Sequence, residues 1–330
     1  MVSSTRVRAS AGRSAECVTA GSGCDLEIPF PRNWRGALGA SVTDHSIRLR
    51  IAGAGDGPAV FVLGGISADR QVADEGAVRG WWSDVARSGG GVDTDRFTVI
   101  GADFFPLDPP HALALCPADY ADIFAHALAA AGFDKVHAVI GASFGGAIAL
   151  AFARRFPGRL GRLGVLCAAD RPSGVSSAWR AVQANIIEFA RAHGEGPAGV
   201  AIARQLAMTT YRTPEEFSER FGSRSDIAAY LTARGRDYMA RMSAERYLTL
   251  SAGIDRVDEA PHEIDAPAAF IAADSDQLVP VATVKSCVQR YRGPAQFHVI
   301  ASRYGHDAFL KDAAAVNAIL SPFLKEHLDD

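Results

Sequence analysis

No apolar run in the 330 residues approaches the roughly 20 needed to span a bilayer, so an integral membrane helix is not expected. Charge of one sign is also lacking. The formal balance of −3 gives no basic surface for nucleic acid or an anionic lipid headgroup, and neither is expected as a partner. Cysteine is sparse: Cys17, Cys24, Cys116, Cys167 and Cys287 are scattered and odd in number. No Cys-x-x-Cys or Cys/His spacing is present, which argues against a zinc site and against a disulfide framework. None of the nine histidines pairs with another at metal-ligand spacing. Residues 1–22 mix arginines with small polar residues and lack the apolar centre of a secretory signal peptide. They read as a flexible tail on a cytoplasmic protein.

What the chain does have is the composition of a globular protein large enough for a sizeable core, with 48% hydrophobic and 22% charged residues. Short apolar runs at 59–63, 97–102, 136–140 and 163–168 read as buried strands, and two more follow at 268–272 and 297–301. Helical patterns at 118–131, 146–155, 281–291 and 308–327 separate most of them. Strands alternating with helices predict a mostly parallel, doubly wound α/β sheet, because parallel neighbours need crossovers. Residues 41–52 alternate polar and apolar side chains, as antiparallel edge strands do.

The alternation breaks between 171 and 262, where only helical periodicity is found: 179–191, 199–209, 214–221, 225–241 and 244–257. Pro214 behind Thr213 reads as a first helical position behind its N-cap. The expected organisation is a core of residues 23–170 and 263–330 with a helical cap, 171–262, inserted between two strands.

The run Val139-Ile140-Gly141-Ala142-Ser143-Phe144-Gly145-Gly146 carries the chemistry. A β-branched segment stops at a serine among glycines, and an alanine-rich helical pattern follows. This is the G-x-S-x-G nucleophile elbow in a strand–turn–helix setting. The backbones pass too closely there for Cβ branches, and the helix start aims free N–H groups at charge developing beside Ser143.

In the α/β-hydrolase fold the acid and the histidine follow the nucleophile in that order. Asp274 and Asp276 follow the 268–272 strand, and His306 follows the 297–301 strand behind Gly305. Asp276, directly before Leu278-Val279-Pro280 and the next helix, is favoured as the orienting acid, with Asp274 holding the turn. His306 is the expected base. The oxyanion hole needs two N–H donors. Phe144 supplies one, and Ile66 in Gly64-Gly65-Ile66-Ser67 is the expected second.

Further segments resemble one family, the homoserine O-acetyltransferases with their homoserine and serine O-succinyltransferase relatives. They are Gly80-Trp81-Trp82, Asp93-Thr94-Asp95-Arg96-Phe97, Thr210-Tyr211-Arg212-Thr213, Ser275-Asp276-Gln277-Leu278-Val279-Pro280 and Gly305-His306-Asp307-Ala308-Phe309-Leu310. Together they span roughly residues 28–328. The resemblance implies that Ser143 carries the acyl group while Asp276 orients the base, His306. It implies that Asp307 holds the acceptor's ammonium group, though Asp307 could instead N-cap the following helix. Arg212 becomes a candidate for the acceptor carboxylate, against a solvated surface charge, and Tyr211 a pocket-lining or packing residue. The resemblance further implies acetyl-CoA or succinyl-CoA as co-substrate with no bound cofactor, homoserine or serine as acceptor, and a homodimer built through cap helices. An esterase with water as acceptor is the rival reading. The chain departs from the family pattern in the short 104–111 segment and at Gln183-Ala184-Asn185-Ile186, where a cap arginine is missing.

Overall fold

The computed structural model describes residues 18–20, 23–42 and 45–326. Its strands are β1 (Val18–Ala20), β2 (Gly23–Pro29), β3 (Ser46–Gly53), β4 (Ala59–Leu63), β5 (Ala86–Arg87), β6 (Val92–Asp93), β7 (Thr98–Ala102), β8 (Val136–Ala142), β9 (Leu160–Leu166), β10 (Ala268–Ala273) and β11 (Ala295–Ile300). Its helices are α1 (Pro117–Ala130), α2 (Phe144–Arg155), α3 (Gly174–Ala192), α4 (Gly196–Tyr211), α5 (Pro214–Arg220), α6 (Arg224–Met239), α7 (Ala244–Asp255), α8 (Val281–Gln289), α9 (Ala308–Lys311) and α10 (Ala313–Lys325).

Among the described residues the main sheet runs β1-β2-β3-β7-β4-β8-β9-β10-β11. The six strands from β7 to β11 in that order are mutually parallel, and β1, β2 and β3 form an antiparallel margin against β7. This is the α/β-hydrolase architecture expected from the alternation of apolar runs and helical patterns. The sequence reading overlooked β2, whose two inward side chains, Leu26 and Ile28, are too short a run to stand out. Much of the expected tail (1–17 and 21–22) lies outside the described residues, but Val18–Ala20 pairs with Gly23–Asp25, so the sheet begins inside that segment. Cys24 is disulfide-bonded, a bridge the sequence reading did not single out, whereas Cys116, Cys167 and Cys287 are free. A single peripheral bridge leaves no spacing pattern to read.

Alternate residues of the parallel strands feed two cores, as a period-2 pleat between two layers requires. Phe61, Val139, Leu163, Val165 and Phe270 pack on one face with Phe124 of α1, Ile148 of α2 and Val284 of α8. Val60, Val62, Ile140, Leu166 and Ile271 pack on the other with Val316 and Leu320 of α10. α9 and α10 break at Asp312, where one continuous helix was expected.

The chain crosses over at β4. It leaves β4 for β7 on one side and returns to β8 on the other, with Val62 opposite Ile140 and Leu63 opposite Gly141. Such a switch point opens a crevice at the strands' carboxyl ends. Helices α3 to α7 occupy the stretch between β9 and β10, with no strand among them. Four of the five have a side-chain N-cap, from Ser173, Thr213, Ser223 and Ser243; the starts of α5, α6 and α7 were legible, whereas α3 begins at Gly174, five residues before the expected 179.

Candidate active site

Ser143 stands where β8 turns into α2, with φ 55° and ψ −122°, a backbone conformation that side chains rarely adopt. Its neighbours have no room for one either. A Cβ on Gly145 would lie 2.6 Å from the Gly64 carbonyl oxygen, and one on Gly141 would strike the backbone of Gly145. The Ser143 N–H donates to Leu166 O at 2.9 Å, which ties the turn to β9.

His306 reaches it from the far end of the chain. A 3-10 turn, Gly305–Asp307, follows β11, and Gly305 enters it at φ 59° with its α-carbon against the Tyr211 carbonyl. The imidazole Nε2 lies 2.8 Å from Ser143 Oγ, and Nδ1 lies 2.7 Å from Asp276 Oδ2. With Nδ1–H donating to the carboxylate, Nε2 is left to accept the serine proton. Asp276 Oδ1 accepts from the Leu278 and Val279 N–H groups at 2.9 and 3.0 Å, so the loop fixes the carboxylate that fixes the ring. Asp274 accepts from Ser302 N–H at 2.9 Å and only braces the turn. Burial alone would depress the His306 pKa, but the charge and hydrogen bond of Asp276, aided by Asp307, raise it above the ordinary 6.5.

The Ile66 and Phe144 N–H groups, from the loop after β4 and the start of α2, donate to no acceptor among the described residues. Both residues line the same cavity as Ser143. Donors left unspent beside a nucleophile are what a developing oxyanion requires.

The cavity, of about 210 Å³, also contains Asp307, Tyr211, Arg204 and Arg180. Asp307 heads α9 without making a side-chain cap hydrogen bond, which excludes the capping role considered for it. Burial raises its pKa against the pull of Arg212, His306 and Arg204. The Tyr211 ring lies 5.8 Å from the His306 ring, centroid to centroid.

Arg212 requires a correction. It does not line the cavity, and its guanidinium is committed to Glu216 Oε1 at 2.7 Å and Asp307 Oδ2 at 3.1 Å. It therefore holds Asp307 from behind rather than meeting a ligand. Of the arginines that do line the cavity, Arg180 pairs with Asp255, whereas Arg204 forms no ion pair among the described residues. It lies 5.4 and 4.6 Å from the Tyr211 and Tyr238 ring centroids. The sequence carried a signal for it: Arg204 is seven residues before Tyr211, two turns along the same helix face. Thr213 completes the Tyr-Arg-Thr segment by capping α5 and donating to Arg303 O at 2.6 Å, tying these helices to the histidine loop.

The other distinctive segments act at a distance. The Trp82 indole N–H donates to Phe309 O at 2.8 Å, bracing the turn beyond His306, while Trp81 stacks on Trp82 and lines the cavity. Asp93 Oδ1 accepts from Gly89 and Asp95 N–H groups at 2.9 and 3.1 Å and shapes the loop before β7. Among the described residues no group of three potential metal ligands comes together.

Residues 81–313 match the alpha/beta hydrolase fold family. The chain is 36% identical to the homoserine O-succinyltransferase of Xanthomonas campestris pv. campestris over 292 residues, 84% of this chain and 79% of the relative. The chain belongs to the homoserine O-acyltransferase family. A homoserine O-acetyltransferase of Thermus thermophilus is 32% identical, over 74% of this chain and 72% of its own. Among solved structures, esterase E22 superposes with a TM-score of 0.81 at 18% identity, over 92% of this chain and 99% of that one, which shows the shared fold. As a member of the homoserine O-acyltransferase family the protein is an enzyme of the transferase class.

Proposed function

We propose that the enzyme transfers an acyl group from an acyl-coenzyme A thioester to the side-chain hydroxyl of L-homoserine, through an ester on Ser143. The observation that carries this reading is the presence of both Asp307 and Arg204 in the lining of the triad's own cavity. A free amino acid presents an ammonium group and a carboxylate a few ångströms apart, and an anion and a cation beside the base match both. Water as acceptor would need neither. The names of the relatives point the same way, and they include both acetyl and succinyl transfer.

Ser143 Oγ attacks the thioester carbonyl as His306 Nε2 takes its proton, and the Ile66 and Phe144 N–H groups receive the oxyanion. The C–S bond breaks, and His306 returns the proton to the leaving sulfur, releasing CoA as the thiol. Homoserine then enters with its ammonium on Asp307 and its carboxylate on Arg204, and its hydroxyl gives a proton to His306. The new C–O bond forms, the Ser143 ester bond breaks, and the proton goes back to Ser143. Asp276 stays ionised and stabilises the imidazolium in each half. No bound cofactor enters the scheme; the acyl-CoA is a co-substrate.

The test is to incubate the enzyme with acetyl-CoA or succinyl-CoA, with and without homoserine, and read thiol release and O-acylhomoserine by mass spectrometry. The expected result is thiol release that depends on homoserine, matched by ester product. Equal release with and without homoserine would favour an esterase and overturn the transferase reading.

A further inference from the structure

A row of buried charges runs from the histidine loop into the helices between β9 and β10. Asp307 Oδ2 lies 3.1 Å from Arg212 Nη2, and Arg212 Nη1 donates to Glu216 Oε1 at 2.7 Å. Glu216 Oε1 also accepts from Nη1 of the exposed Arg220 at 3.1 Å. Arg212, Glu216 and Arg220 are spaced by four residues, one helical turn apart. Thr213 sets the start of that helix by accepting from the Glu216 N–H at 3.1 Å. Arg212 is 8% and Glu216 4% exposed, and neither lines the cavity. Asp307 does line it, and its other oxygen, Oδ1, accepts no hydrogen bond among the described residues and is not sealed in protein. That oxygen is the end of the row that opens on the cavity.

Charge accounting gives the row a purpose. An arginine facing Asp307 alone would cancel its charge and leave a cationic ligand little to gain. Here the guanidinium is already matched by Glu216, so the Arg212–Glu216 pair is neutral as a unit and Asp307 keeps its net negative charge. The pair still presents its positive end to Oδ2. Without that contact a carboxylate in a closed cavity would take up a proton, since burial penalises the charged form. Burial does push the Asp307 pKa up, and Arg212 leads the groups that pull it back, ahead of His306, Arg204 and Lys311. Stability is a poor explanation for such a pair. Arg212 Nε and Glu216 Oε2 are buried with no hydrogen-bond partner among the described residues. Two apolar side chains would fill the space without that cost.

We propose that Glu216 is a positioning residue for the acceptor: by neutralising Arg212 from outside the cavity, it lets Arg212 orient Asp307 while leaving the Asp307 charge for the ammonium group of the incoming substrate. This rests on the acyl-transfer reading, in which Asp307 receives the acceptor, and extends the acceptor site into α5. Glu216 contacts neither Ser143 nor His306, so its effect is confined to the half-reaction in which the acceptor enters. The helix is well placed to transmit it. Besides the Arg212 contact, α5 holds the histidine loop through the Thr213 hydroxyl, which donates to Arg303 O at 2.6 Å, and through Glu219, which accepts from the Arg303 guanidinium at 2.5 Å.

The experiment compares two acceptors, homoserine and 4-hydroxybutyrate, in the wild type and in Glu216→Gln, with acetyl-CoA or succinyl-CoA as donor, whichever the wild type turns over faster. 4-Hydroxybutyrate keeps the hydroxyl and the carboxylate but lacks the ammonium group. Glu216→Gln keeps the shape and an acceptor for Arg212 Nη1 but removes the charge. The wild type is expected to prefer homoserine. In Glu216→Gln the homoserine-to-4-hydroxybutyrate ratio of kcat/KM should fall by about 10-fold, the scale of one charged hydrogen bond, with the loss in the KM for homoserine. The rate of the CoA thiol burst before acceptor is added should be unchanged. A ratio is insensitive to general loss of folded enzyme. An unchanged ratio, an equal loss with both acceptors, or a burst rate that falls along with the ratio overturns the inference while leaving the transferase reading intact. A wild type with no preference for homoserine removes the Asp307 assignment on which the inference rests. Absence of ester product from both acceptors removes the transferase reading itself.

Discussion

Of the cavity groups displaced upward in pKa, His306 and Asp307 bear on the acid side of the activity profile. His306 accepts a proton only when neutral, and Asp276 keeps it protonated to a pH above the ordinary 6.5. Asp307 holds an ammonium group only when ionised, and burial makes it surrender its charge at higher pH than a surface aspartate. Activity should therefore fall as pH is lowered, and the limb in kcat/KM for the acyl donor should lie above 6.5. Asp276→Asn should move that limb to lower pH and reduce kcat by on the order of 10⁴-fold, read from a pH–rate series. A limb unchanged by Asp276→Asn would mean that another group titrates. Arg204→Leu tests the second half-reaction. The KM for homoserine should rise by about 10–100-fold, with a much smaller change in kcat/KM for the donor, in steady-state kinetics with each substrate varied.

At this scale the sequence was legible where chemistry is written into neighbouring residues. Ser143 among glycines, Asp276 before Leu278-Val279-Pro280, and His306 behind Gly305 each sit on a turn whose backbone demands those neighbours. Arg212 was misread because adjacency in sequence does not say which way a side chain points at a helix end. It lies beside Tyr211, yet it is Arg204, two turns earlier, that shares the Tyr211 face. Arg180, which also lines the cavity, was invisible for a related reason. Nothing in a helical pattern distinguishes a cation facing a cavity from one facing water.

Among the elements, those with strong local signals were found close to their observed bounds: β4, β8, β10 and the capped helices α5, α6 and α7. β2 was missed because two inward residues make no pattern, and the break between α9 and α10 because Asp312 carries no helix-breaking signature. The elbow between β8 and α2 is the element whose geometry leaves least freedom. A methyl on Gly145 would meet the carbonyls of Leu63 and Gly64. Gly145→Ala is therefore expected to cost roughly 1–3 kcal/mol in urea unfolding and to lower kcat, because relief requires β8 and β4 to part. Wild-type stability in that variant would show that the strands can yield there.

On the scale of the whole molecule, one helix face is left exposed among the described residues. Val175, Val182 and Phe189 of α3 recur every seven residues and are 45%, 49% and 71% exposed. A stripe at that spacing can pack against its own copy about a twofold axis, and a homodimer through α3 is the assembly it supports. Phe189→Glu should shift the protein toward monomer in sedimentation velocity, and a wild type that sediments as a monomer would end this reading.

Because the Ile66 and Phe144 N–H groups are left unspent by the protein itself, Ser143 should be open to capture by reagents that become tetrahedral and anionic on attack. An alkyl boronic acid would bond to the hydroxyl and place a B–O⁻ against those two donors, forming a reversible adduct.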